Sequence, residues 1–107
     1  MLFRSVTGYG GTSFAAPRWA GFLALVNQQS VANGKGTVGF INPTLYNLGT
    51  SASRSTAFHD ITSGSNPPSV GDGSGFNAVP GYDLVTGWGS PAGPALIDQL
   101  AGRKGKQ

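Results

Sequence analysis

The chain contains no cysteine and no glutamate. Without cysteine, disulfides and thiolate metal sites are excluded, while the redox compartment stays open. Without glutamate, the acidic inventory shrinks to Asp60, Asp72, Asp83 and Asp98, and His59 is the only histidine. Any mechanism must be built from these groups or borrow others. Charge is scarce too, at 10% of 107 residues, which is low for a free-standing soluble surface. Part of this surface is therefore expected to be covered by further protein. The formal net charge of +3 is unevenly placed, because Arg103, Lys104 and Lys106 fall in a basic tail at residues 102–107. The body without them is close to neutral. Nucleic-acid binding wants a stripe of Lys and Arg on an ordered face, so no nucleic-acid partner is expected. No apolar run reaches the length of a membrane span, residues 21–26 being too short, and no membrane partner is expected. Residues 1–4 lack the long apolar region of a signal peptide.

What the chain does have is glycine and proline, 18 and 7 of them, which predict a loop-dominated domain rather than a helical bundle. The best helix runs from Ser13 to about Ser30. Phe14, Ala15, Trp19, Phe22, Leu23, Leu25 and Val26 mostly follow the three-to-four spacing of a buried helix face. Thr12 or Ser13 is expected to cap it. Pro17 lies near the first turn, and Asn33-Gly34 stops it. Asn42-Pro43 opens a second, short helix over 44–48, ended by Gly49. Residues 50–56 read as an exposed Ser/Thr loop, and residues 58–61 as a strand end or tight loop entry. From 62 to 81 the chain is nearly all Gly, Ser, Asn, Asp and Pro. So long an irregular stretch implies a function or an organising ligand. Ser90-Pro91 is expected to start a last helix over 92–100, with Pro91 in its first turn.

The segment Gly-Gly-Thr-Ser-Phe-Ala-Ala-Pro at 10–17 places Ser13 at a helix start after a glycine turn. Amides and the helix dipole there favour a developing oxyanion, and the preceding glycines admit a substrate backbone. An N-cap serine in front of an amphipathic helix is the plain alternative.

A longer match separates these readings. Gly-Thr-Ser-x-x-x-Pro opening an apolar helix resembles the nucleophile segment shared by subtilisins and sedolisins. Ala57-Phe58-His59-Asp60-Ile61-Thr62 and Gly81-Tyr82-Asp83-Leu84-Val85-Thr86-Gly87-Trp88-Gly89-Ser90-Pro91 resemble the sedolisin calcium-site segments. Phe40-Ile41-Asn42-Pro43-Thr44-Leu45-Tyr46 resembles the segment that the family places between the nucleophile and calcium-site segments. The resemblance covers about residues 10–101, in family order. It implies the C-terminal portion of a subtilisin-like α/β fold, a parallel sheet flanked by helices, loop-rich and holding Ca2+. Residues 1–101 would be a partial peptidase domain. Ser13 matches the acyl-accepting nucleophile, Asp60 and Asp83 match side-chain calcium ligands, and Ile61, Val79 and Gly81 match positions that ligate through backbone carbonyls. Val79 stands where some relatives have glycine. Two carboxylates mixed with loop carbonyls suit a cation that takes six to eight oxygens. Two turn aspartates are the plain reading of Asp60 and Asp83.

The other residues receive the plainer reading. His59 as a base for Ser13 is the lesser possibility, since in the family it only precedes the calcium aspartate. Residues 71–75 lack the repeated acids of an EF-hand and read as a mobile loop. Trp19 and Trp88 read as packing residues and Asp98 as solvated.

The resemblance also implies a glutamate base, an orienting aspartate and an oxyanion aspartate upstream of the serine. None of the twelve residues before Ser13 is acidic. The expectation is a fragment or truncated product, inactive alone, that needs the upstream part of the peptidase domain. The parent would be a secreted, acid-acting endopeptidase cleaving peptide or protein substrates. A non-catalytic calcium-binding module and a subtilisin-type fragment are the alternatives.

Overall fold

The computed structural model describes residues 10–69 and 71–102. The basic tail beyond 102 and residues 1–9 lie outside that range. Helix α1 spans Thr12–Ala32, α2 Asn42–Gly49, α3 Arg54–Ala57 and α4 Pro94–Ala101. Strands β1, Phe58–His59, and β2, Ser90–Pro91, pair antiparallel with Phe58 opposite Pro91 and His59 opposite Ser90. The molecule is thus a mixed helix and strand structure with a two-stranded sheet. The parallel sheet that the resemblance implies is not formed among the described residues.

Helix α1 forms where expected and stops where Asn33-Gly34 predicts, but Phe14, Ala15 and Leu25 of the expected buried face are exposed. Asn33 forms the C-cap, Gly34 takes φ 80°, and the Lys35 amide closes on the Ser30 carbonyl at 2.9 Å. Its start differs from expectation. Gly11, with φ 122°, occupies the N-cap, and no side chain caps the helix. Pro17 stands inside the helix, beyond the first-turn positions where a missing N–H is costless. It has no N–H to give to the Ser13 carbonyl four residues earlier.

Only a stripe of α1 is covered. Val26 and Ser30 are buried and Trp19, Phe22 and Leu23 half-buried, while Phe14, Leu25 and Val31 are about half exposed or more. Arg18 is the single charge on the helix. A helix apolar on more than one face is the kind found inside larger bodies, in line with the low charge of the sequence.

The core is small. Ala57, Phe58 and Leu96 form its centre, with Trp19, Phe22, Leu45, Leu48, Trp88 and Leu100 packed around them. Helices α1 and α4 pack together, and their ends are tied where the Asn33 side-chain amide donates to the Gly102 carbonyl at 2.9 Å.

Three expectations are corrected. The 50–56 stretch is not all loop, because it runs into α3, whose Ala57 amide bonds the Ser53 carbonyl at 2.9 Å. Pro91 does not begin the last helix. It sits in β2, the Ala92 amide extends the ladder to the Ala57 carbonyl, and Pro94 takes the first helical turn after Gly93 at φ 54°. Gly49 ends inside α2 rather than after it. Its role is spatial, since a side chain there would collide with the Trp88 indole. Trp88 in turn meets the rings of Tyr46 and Tyr82 at 5.9 and 5.0 Å.

Candidate functional site

The pairing of β1 with β2 determines where the candidate metal residues lie. Asp60 follows β1 directly, and the loop 81–89 leads directly into β2. Joining Phe58-His59 to Ser90-Pro91 therefore sets the two aspartate segments side by side. The approach is close at Gly89, where any side chain would overlap the His59 carbonyl. Glycine, at φ 100°, is what that position requires.

Two hydrogen bonds then draw the segment 79–83 onto the aspartates. The Gly81 amide donates to Asp60 Oδ2 at 2.6 Å, and the Val79 amide to Asp83 Oδ2 at 3.3 Å. Asp60, Val79, Gly81 and Asp83 are thereby linked in one cluster, with Ile61 adjacent in sequence. Gly81 and Asp83 are buried, while Asp60, Ile61 and Val79 are exposed. Among the described residues no three His, Cys, Asp or Glu side chains gather as a metal-binding group. A cation here would rest on two carboxylates and backbone carbonyls. That all-oxygen donor set fits a hard cation such as Ca2+.

Asp83 also organises its own turn. Its Oδ1 accepts from the Val85 and Thr86 amides at 2.9 and 2.7 Å, and Thr86 Oγ1 lies 3.0 Å from both carboxylate oxygens. The Asp83 and Gly87 backbones bond reciprocally at 3.1 and 3.0 Å. The Thr86 amide above all, helped by Val85, the Thr86 hydroxyl and Val79, holds the Asp83 carboxyl below the usual carboxylate range, against the opposing effect of burial. Sequence reading missed Thr86. The signal was present, since Asp followed three residues later by Thr and then Gly is turn chemistry.

The other glycine-rich stretch is more ordered than expected. Asn66 and Phe76 exchange bonds, the Phe76 amide reaching Asn66 Oδ1 at 2.8 Å and the Asn66 amide the Phe76 carbonyl at 3.1 Å. Asp72 holds the tip through the Ser74 amide and Ser69 hydroxyl, contacts that lower its pKa, Ser74 foremost.

Ser13 is the second residue of α1 and is exposed. The amides of Phe14 and Ala15 turn back to the Gly11 carbonyl at 3.1 and 3.4 Å, so they are not directed at a bound group. The first turn of α1 carries no acid. Among the described residues no hydrogen bond joins Ser13 to His59 or to a carboxylate, and His59 is engaged in β1 opposite Ser90. On the face of α1 turned away from Ser13, Ala15, Arg18, Trp19 and Phe22 line a cavity of about 320 Å³ with Ser90 and Pro91. No helix among the described residues is long and apolar enough to cross a membrane.

Comparison with known proteins supplies the relationship. The chain is 50% identical over 90 residues to tripeptidyl-peptidase sed1 of Aspergillus fumigatus, covering 83% of this chain and 13% of that protein. It is 39% identical over 93 residues to tripeptidyl-peptidase 1 of Mus musculus, and 37% identical to that of Homo sapiens, covering 84% of this chain and 16% of each. The chain thus spans less than one-fifth of the length of these relatives. No family model matches it, and no solved structure matches it. Identity of this order, sustained over more than four-fifths of the chain, establishes common descent. Over its matched residues the chain belongs to the sedolisin family, and it corresponds to the C-terminal part of those proteins.

Proposed function

We propose that the chain is the nucleophile- and calcium-bearing part of a serine-type peptidase of subtilisin-like fold. In this reading Ser13 attacks the peptide carbonyl and carries the acyl group. Asp60 and Asp83, with the carbonyls of Ile61, Val79 and Gly81, hold Ca2+, which would lock loops that have little core of their own. The observation that carries the metal reading is the pair of bonds from Gly81 to Asp60 and from Val79 to Asp83. These gather residues up to 23 positions apart. The depressed Asp83 pKa keeps that carboxylate ionised in the acid range where a carboxylate-assisted peptidase works.

The general base comes from elsewhere. The chain has no glutamate, Ser13 has no acidic partner among the described residues, and half-exposed Leu25 and Val31 leave α1 with uncovered apolar surface. The upstream part of the peptidase domain would cover that surface and bring the base and the oxyanion aspartate. The chain alone would then be inactive. Relatives named as tripeptidyl peptidases support peptide substrates.

A chimera tests this. Residues 10–101 replace the matching segment of the Aspergillus fumigatus enzyme, and peptide release is assayed at acid pH. Activity that Ser13→Ala lowers by about 10⁴-fold or more supports the nucleophile. A chimera that folds and stays active with Ala at position 13 sinks it. The second reading is metal-free. Four donors on the Asp83 carboxylate are also what a turn-organising aspartate displays.

A further inference from the structure

An ionised carboxylate offers about four lone-pair sites. Asp83 already faces four donors: the amides of Val79, Val85 and Thr86, and the Thr86 hydroxyl. A cation arriving at Asp83 must displace one of them. The Val85 and Thr86 amides are fixed by the backbone of the 83–87 turn, which the reciprocal Asp83 and Gly87 bonds close, and the Val79 amide is likewise a main-chain donor with no side-chain bond to turn about. Only the hydroxyl turns about a single side-chain bond. It also lies at 3.0 Å from both Asp83 oxygens, across the edge that a bidentate cation would use.

We propose that the Thr86 hydroxyl is the stand-in for the cation, holding the Asp83 carboxylate when no metal is bound and yielding its place to Ca2+. This inference rests on the calcium reading above and adds to it a residue that sets the affinity. Thr86 is a positioning residue: it acts through Asp83. The consequence is a linkage. An interaction present without metal and weakened with it opposes binding, so removing it must tighten binding even as it loosens the metal-free chain. A merely structural threonine would weaken both forms alike.

The test uses the whole 107-residue chain, its Thr86→Val and Thr86→Ser variants, and Asp60→Ala. Each is melted in chelator and in calcium and titrated with Ca2+ by calorimetry. Thr86→Val is expected to melt lower in chelator, to bind Ca2+ about tenfold more tightly, and to gain more from calcium than the unaltered chain. Thr86→Ser keeps the hydroxyl and is expected to match the unaltered chain in both respects. Equal or weaker binding by Thr86→Val, or a serine variant displaced from the unaltered chain toward tighter binding, overturns the stand-in role and leaves the calcium site intact. Absence of binding by the unaltered chain, or binding that Asp60→Ala leaves unchanged, overturns the calcium reading itself and the stand-in with it.

Discussion

The backbone amide of Gly81 donates to the carboxylate of Asp60 at 2.6 Å, across 21 residues of chain. This one bond ties the end of β1 to the loop that leads into β2. Under the proposed calcium reading Asp60 would have two separable roles, an acceptor for the loop and a negative charge for a cation.

Substitution separates them. Asp60→Asn keeps an amide oxygen that can accept from Gly81, whereas Asp60→Ala keeps none. In chelator, Asp60→Ala is expected to cost about 1 kcal/mol, a fall of about 4–8 °C in Tm, and Asp60→Asn less. In calcium both should lose the gain that the unaltered chain shows, because a cation site depends on the charge. Thermal melts followed by circular dichroism check this, and equal melts for Asn and Ala in chelator would mean the Gly81 bond contributes nothing.

Acid should loosen the fold through Asp83. Its folded pKa is depressed, chiefly by the Thr86 amide. The unfolded chain therefore takes up a proton first, near the usual value of about 3.9. The stabilisation is fully present above that value and is lost as pH falls through the lower, folded pKa. Melts in chelator at pH 6, 4 and 2.5 are expected to show a drop that Asp83→Asn reduces. An unchanged slope in the Asn variant would assign the acid sensitivity elsewhere, Asp72 being the other carboxyl held low.

Leu96 is fully buried, in the cluster with Ala57 and Phe58. Truncating a buried leucine costs about 2–5 kcal/mol. In so small a core Leu96→Ala is expected to leave the metal-free chain largely unfolded at 25 °C, with calcium restoring part of the signal. A Tm within about 3 °C of the unaltered chain would show that α4 contributes little.

Much of this was legible without coordinates. The extent of α1, its stop at Asn33-Gly34, the short helix opened by Asn42-Pro43 and the irregular run through 81 are local matters, written in periodicity, caps and breakers. So is the scarcity of charge that anticipated the half-covered α1. The motif order also placed Ser13, Asp60 and Asp83 in a family context. Pro91 and Pro94 show the limit of such reading. Both are acceptable in a first helical turn, and only the pairing of Ser90-Pro91 with Phe58-His59 assigns the first to a strand and the second to the helix.

The sequence by itself determined the inventory: one serine at a helix start, four aspartates, no glutamate, no cysteine, and glycines where the backbone must turn. Tertiary structure alone decided what meets what. Two-residue strands carry no periodic signal, so the β1–β2 pairing that sets Asp60 beside the 81–89 loop is visible only in space. Gly49 could be read as a helix stop until Trp88 was seen to occupy its missing side chain's place. Thr86 could be any loop threonine until its hydroxyl was found across the Asp83 carboxylate. In each case the deciding contact is non-local or depends on side-chain direction, and neither is encoded in the spacing of residues along the chain.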